Sequence, residues 1–273
     1  LLGLCASASA VTIGFETSEG YTTTGGTTFA NGNLVGQGIS PNNWTGSTSA
    51  DADKLRVIAN PVTTGNPSDQ VVQLFDTNNT GTQLYRIFSP STGETFDPSS
   101  SIISYSLQFL YPSGAATNAS AEIRFAVGDA GSGKQIFQLE FVSDGTIGFN
   151  DGTTNSKVLN SEGNNFVGTT GTWVTISGTI NYGTNLYTLN VDGVQQLGTD
   201  SSSNLDFYAT DSKTAVLNLR AMGATGANYT PIYLDNLDFT AIPEPGTSAA
   251  MVFGVVLLGA AFLRVRRRRQ SVR

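Results

Sequence analysis

The chain has 273 residues, 21 acidic and 14 basic, with no histidine and a single cysteine, Cys5. Six of the basic residues follow residue 263, so the part before Thr247 carries 8 basic against 21 acidic residues, a net −13, which repels phosphate backbones and sets nucleic-acid binding aside. The missing histidine removes Ser-His-Asp and Cys-His nucleophile systems and His-ligated zinc.

The chain opens "LLGLCASASA". Apolar residues followed by small ones, ending Ala8-Ser9-Ala10, form an A-x-A cleavage pattern. The expectation is a residual signal peptide over 1–10, read by the Sec translocation machinery and leaving Val11 as the mature start. Lipid attachment at Cys5 needs a small residue before the thiol, and Leu4 is not small. Without Cys5 the mature protein has no thiol, hence no disulfide and no cysteine metal site.

Residues 11–241 read as strands. The apolar residues are mostly Val, Ile, Thr, Phe and Tyr, and only 13 % of the chain is charged, a strand palette. "SIISYSLQFLY" places Ile103, Tyr105, Leu107, Phe109 and Tyr111 on one face. "AEIRFAVG" alternates Ile123, Phe125 and Val127 with Glu122, Arg124 and Ala126, and "KQIFQLEFV" alternates Phe137, Leu139 and Phe141 with Gln138, Glu140 and Val142. "WVTISGTIN" sets Val174, Ile176 and Ile180 against Trp173, Thr175 and Thr179; "LYTLNV" and "AVLNLRAM" follow. Asp144-Gly145, Asp151-Gly152 and Asp192-Gly193 mark turns. In "PIYLDNLDF" the apolar period slips between Leu234 and Leu237, which predicts a bulge at Asp235-Asn236. Many strands with one buried face predict an all-β fold, an antiparallel two-sheet jelly-roll sandwich, as one domain.

Within this body several residues suggest chemistry. Trp44, Tyr182 and Tyr187 lie in polar segments or at strand ends, where aromatic faces can form a sugar platform or anchor the core edge. Hard cations need clustered oxygens. The candidates for a structural calcium are Asp51 with Asp53, and Glu16 near the first strand with Asp235 near the last; no full calcium loop is present and no other cofactor is expected. Glu122 and Glu140 can share the polar face of neighbouring strands beside Arg124 and Gln138, as a carboxylate pair in a cleft or as a solvated, ion-paired sheet face.

The chain then reads Pro243-Glu244-Pro245, an uncharged run through Leu263, and the cluster Arg264, Arg266, Arg267, Arg268 and Arg269. From Thr247 the run makes about 25 Å of helix at about 1.5 Å per residue. That is short for a hydrocarbon core of about 30 Å but workable if Arg264 snorkels. A single C-terminal transmembrane helix is therefore predicted, with the arginines acting as a cytoplasmic membrane stop and the acidic body outside. The two prolines keep the preceding segment extended and stop the helix from running into it.

Proline-glutamate-proline, apolar span and arginine cluster, in that order at one end, resemble the PEP-CTERM sorting signal of exopolysaccharide-producing Gram-negative bacteria. The resemblance covers residues 242–273. It implies recognition of Pro243, Glu244 and Pro245 by exosortase, a membrane-embedded cysteine protease, so that the span is a temporary hold. In the body, "TWVTISGTINYGTNLYTLNVDGV" and the pairing of "GFETSEGY" with "IYLDNLDF" resemble concanavalin A-like and laminin-G-like jelly rolls, with the galactose-binding-like jelly roll as rival. That resemblance implies a curved sheet or edge loops able to hold sugar. The E-x-D-x-E strand of concanavalin A-like glycosidases is missing, and Gln135-Ile136-Phe137 has phenylalanine where alginate lyases of this shape need histidine. The expectation is an exported, non-enzymatic cell-surface or extracellular-matrix protein, held transiently at the inner membrane and associated with exopolysaccharide. The alternative is a secreted polysaccharide-degrading enzyme.

Overall fold

The structure is a computed structural model that describes residues 10–26, 29–30, 32–38, 43–46, 54–75, 82–87, 102–110, 122–128, 135–142, 147–150, 155–157, 171–196, 205–207, 216–222 and 231–242. Residues 1–9, the sorting residues Pro243, Glu244 and Pro245, the apolar span and the arginine cluster all lie outside them. Among the described residues no helix is long and apolar enough to cross a membrane, and a 3-10 turn lies at Thr17–Glu19.

The chain begins with β1 (Ala10–Ile13), the short strands β2 (Gly25–Gly26), β3 (Phe29–Ala30) and β4 (Thr45–Gly46), then β5 (Leu55–Ala59), β6 (Gln70–Leu74) and β7 (Thr82–Ile87). The middle holds β8 (Ile102–Leu110), β9 (Glu122–Gly128), β10 (Gln135–Val142), β11 (Ile147–Asn150) and β12 (Asn155–Lys157). The last third holds β13 (Trp173–Asn181), β14 (Leu186–Tyr187), β15 (Asn190–Val191), β16 (Val194–Gln195), β17 (Leu205–Asp206), β18 (Val216–Met222) and β19 (Ile232–Ile242).

Two antiparallel sheets result. One has ten strands, ordered β16-β15-β13-β8-β19-β6-β5 with β1 on β19, β14 on β13 and β17 on β14; the other has seven, ordered β12-β11-β10-β9-β18-β7-β4. Leu107, Phe109, Ile176 and Phe239 of the first sheet and Leu139, Ile147, Leu217 and Leu219 of the second belong to a single buried cluster. This is the predicted antiparallel sandwich. β8 shows the expected alternation, with Ile103, Tyr105, Leu107 and Phe109 buried and the residues between them half-buried. Asp192 and Gly193 both have positive φ, 49° and 79°, as a two-residue turn joining β15 to β16 demands. The other two Asp-Gly pairs lie outside the described residues. β10 departs from simple alternation: the β9–β10 register shifts between Gln135 and Phe137, and the bulged Ile136 is fully buried. An extra residue in one strand resets which side faces inward.

Gly178 of β13 is required by a close approach. Tyr105 lies opposite it on β8, and the Tyr105 hydroxyl donates to the Thr188 carbonyl at 2.7 Å. A Cβ at 178 would collide with that same carbonyl oxygen. The aromatic ring covers the gap that the glycine leaves.

β19 is the axis of the ten-stranded sheet. Along one edge it pairs with β8; along the other it pairs with β6 through Ile232–Leu234, then with β1 through Leu237–Thr240. The change of partner falls at Asp235-Asn236, where the β8 register also shifts and Asn236 has φ of 50°. The bulge predicted from the slipped period lies there.

The outer face of this sheet is closed by the β5–β6 connection, residues 60–69. Asn60 staples the loop to itself, donating to the carbonyls of Asn66 and Ser68 at 3.0 and 2.9 Å while accepting from the Val62 amide at 3.0 Å. The loop is tied down by Trp173, whose Nε1 donates to the Val62 carbonyl at 2.6 Å, and by Gln108, whose Nε2 donates to the Gly65 carbonyl at 3.3 Å. Trp173 and Tyr233, on the side of their strands opposite the main core, are buried there with Val71 and Leu110. Trp173→Phe keeps the ring but removes the 2.6 Å bond. The expected result is a loss of about 1 kcal/mol and faster limited proteolysis at the exposed Thr63-Thr64-Gly65, read by mass spectrometry of the fragments.

Candidate functional site

Of the residues the sequence singles out, the aromatic ones go inward. Trp44 precedes the edge strand β4 and is completely buried. Its Nε1 donates to the Tyr21 hydroxyl at 3.0 Å, and its ring stacks on Phe15 at 6.2 Å between centroids. Tyr187 is 1 % exposed. Tyr182 is half-buried and meets Phe207 edge-on at 5.8 Å. The expected sugar platform of Trp44, Tyr182 and Tyr187 is therefore corrected: Trp44 and Tyr187 have no ring face open to a ligand, and Tyr182 spends its ring on the core edge.

Glu16 and Asp235, by contrast, are brought together at the notch where β19 changes partner. Asp235 is completely buried. Its Oδ2 accepts from Asn66 Nδ2 at 2.7 Å, while its Oδ1 has no hydrogen-bond partner. Asn236 Nδ2 donates to Gln108 Oε1 at 2.7 Å and to Asn66 Oδ1 at 3.3 Å. Glu16 Oε1 accepts the backbone amides of Asp69 and Gln70 at 2.9 and 3.5 Å, and Glu19 Oε2 accepts that of Gly14 at 2.7 Å. Burial pushes the Asp235 carboxyl up from the usual 3.8 to about 6; hydrogen bonds from Asn66, Ser68 and the Asn236 backbone oppose the rise, and the neighbouring Glu16 charge adds to it.

Few of the carboxylate oxygens at this notch are free for calcium. The ion wants six to eight oxygens, several of them carboxylate, yet Glu16 Oε1 is taken by backbone donors and Asp235 Oδ2 by an amide. No group of three metal-ligating acidic, histidine or cysteine side chains occurs among the described residues. Asp51 and Asp53 lie outside them. The notch instead fastens the start of β6 and the 60–69 loop to β19.

The seven-stranded sheet carries the more suggestive surface. Its inner face is fixed by the buried Leu139, Ile147, Leu217 and Leu219, so the alternate positions belong to its outer face. Across that face the register forms one transverse row: Thr45, Tyr85, Asn218, Ala126, Gln138, Asn150, Asn155. The next row reads Gln83, Arg220, Arg124, Glu140, Gly148, Lys157. Asparagine is disfavoured in strands, yet three occupy one row, and Asn218 is half-buried. Amides offer donors and acceptors together, matching hydroxyls that do the same. Neighbouring strands are about 4.8 Å apart, so the row runs about 29 Å across the seven strands.

Glu122 and Glu140 share this outer face, as the alternation predicts. Glu140 is opposite Arg124, and Glu122 is opposite Val142, one step along, so the two acids are diagonal neighbours. The sequence reading missed Tyr85, Asn150, Asn155, Asn218 and Arg220. The signal for two of them was present in "VLNLRAM", where Asn218 and Arg220 alternate with the apolar Leu217 and Leu219.

No family model matches this chain, and no curated protein matches it. Among solved structures, a sialidase superposes with a TM-score of 0.50 over 75 % of this chain at 12 % identity, and the chain spans 17 % of that protein's length. The likeness is one of fold. The carbohydrate esterase of Shiga toxin-encoding bacteriophage phi24B gives a TM-score of 0.47 at 13 % identity, covering 72 % of this chain and 89 % of its own. The catalytic domain of a glycoside hydrolase family 131 protein from Coprinopsis cinerea gives 0.47 at 9 % identity, covering 74 % and 84 %.

Proposed function

We propose that this chain is an exported cell-surface or matrix protein whose jelly-roll sandwich, of the concanavalin A-like or laminin-G-like kind, holds saccharide on the outer face of its seven-stranded sheet. The observation that carries this reading is the amide row Asn218, Gln138, Asn150 and Asn155. A face kept only for solubility has no reason to break strand propensity at three positions. The test is retention on immobilised polysaccharides. The expected result is binding without release of reducing ends, weakened several-fold by Asn218→Ala combined with Gln138→Ala. Unchanged retention in that variant overturns the reading.

A second reading, a polysaccharide-cleaving enzyme, is favoured by the diagonal placement of Glu122 and Glu140. It requires turnover that is lost in Glu140→Gln. For the tail, we propose delivery by the Sec machinery, a transient hold through residues 247–263 with the arginines inside, and cutting by exosortase at Pro243-Glu244-Pro245. The mass of the mature protein separates this from a permanent anchor: a cut chain lacks the apolar span.

A further inference from the structure

β1 and β19 run antiparallel with Ala10 opposite Thr240. The residue before the proposed signal cut and the residues before the sorting motif therefore share one rim of the ten-stranded sheet. Partners in such a pair are about 5 Å apart between Cα atoms, and Pro243 follows Thr240 by three positions. β8 and β13 continue the rim: Ile242 is opposite Ile102, and Ile102 is opposite Asn181. From Asn181 the chain turns through 182–185 into β14. Asn181 fastens that turn, its Oδ1 accepting the amides of Gly183 and Thr184 at 2.9 and 3.2 Å.

This rim is poor in charge. Ala10, Ile102 and residues 181–186 and 240–242 carry none; the acid at that level of the sheet, among the described residues, is Asp206, opposite Leu186. In a body of net −13, such a rim is the part that an anionic lipid surface repels least. Ile242 adds an apolar side chain that is 36 % exposed. The link to the apolar run is also short. Only residues 243–246 separate Ile242 from Thr247, a reach of at most about 18 Å when fully extended. β19 spans eleven residues, Ile232–Ile242, and is about 33 Å long at about 3.3 Å per step. The body is thus longer than its tether.

We infer that this rim, built from Ala10, Ile102, Ile242 and the 182–185 turn, rests on the phospholipid headgroups of the bilayer that holds the apolar run, while the opposite end of the sheet, at Trp173 and Ile232, stands clear of them. The inference rests on the proposed membrane hold through residues 247–263. The experiment uses the full chain with Cys5→Ser, reconstituted in vesicles of phosphatidylethanolamine and phosphatidylglycerol. A single new cysteine carries bimane, placed either by Thr184→Cys in the exposed turn of the rim or by Thr172→Cys, exposed at the opposite end. A nitroxide on the lipid headgroup quenches whichever label lies near it. Quenching at position 184 should exceed that at position 172 several-fold. Equal quenching at the two positions, or stronger quenching at 172, in protein that floats with the vesicles overturns the inference and leaves the membrane hold standing. Protein that does not float with the vesicles overturns both.

Discussion

Trp44→Ala is expected to destabilise the protein by about 3–5 kcal/mol, the range for deleting a large buried aromatic, out of a total that for such domains is about 5–15 kcal/mol. The indole is fully enclosed. It stacks on Phe15, which meets Tyr21 edge-on at 5.2 Å between centroids, and its Nε1 bonds the Tyr21 hydroxyl. Its backbone closes the same knot: the Trp44 amide donates to the Gln37 carbonyl at 3.1 Å, and the Trp44 carbonyl accepts from Gly36 at 2.8 Å. Phe15 holds a φ of 54°, a strained setting for a residue with a side chain, so losing its stacking partner also removes support from that strain. Urea denaturation gives the cost. Saccharide retention by the fraction that remains folded should match the parent. A loss of retention with stability kept within about 1 kcal/mol would instead restore Trp44 as a sugar-contacting residue.

Asp235 governs the second large effect. Its folded-state pKa is near 6 against an ordinary 3.8, so the folded protein holds the proton more tightly than the unfolded chain. The corresponding stabilisation is complete below about pH 4, declines as the pH rises, and is gone above about pH 6. Two units correspond to about 3 kcal/mol at most. Asp235→Asn keeps an acceptor for Asn66 and carries no charge to desolvate. The variant should therefore be more stable than the parent at pH 7.5 by up to about 3 kcal/mol, with a flatter stability profile between pH 4 and 6. Denaturation series at several pH values read both features. The opposite outcome, an Asn variant weaker at pH 7.5 together with a parent weakened by EDTA, would mean that a cation neutralises Asp235 and Glu16.

The sandwich was legible in the sequence because one-face burial writes itself as alternation. β8 could be read residue by residue, and the slipped period at Leu234 and Leu237 exposed the bulge. What alternation cannot carry is which outer face another segment covers. Trp173 and Tyr233 sit on the side of their strands away from the main core, and only the 60–69 loop, folding across from a distant part of the chain, buries them. The same limit affected the aromatic candidates. A tryptophan in "SPNNWTGS" has polar neighbours in sequence, but the chain there turns its indole under Phe15 and Tyr21. The rows of the seven-stranded sheet depend on pairing between strands far apart in sequence, Arg124 with Arg220 above all, and no single strand shows them.

The position of β19 also governs the order in which the protein can be finished. It is the final described strand, yet β1, β6 and β8 all hydrogen-bond to it. A polypeptide emerging from its amino end first must wait with those three edges unsatisfied, and open edges of this kind recruit neighbouring molecules. Any nascent molecule released before residue 232 would lack the shared partner of all three, so assembly of the larger sheet waits until β19 has been made. A premature stop anywhere upstream of β19 should yield aggregates rather than a smaller working protein.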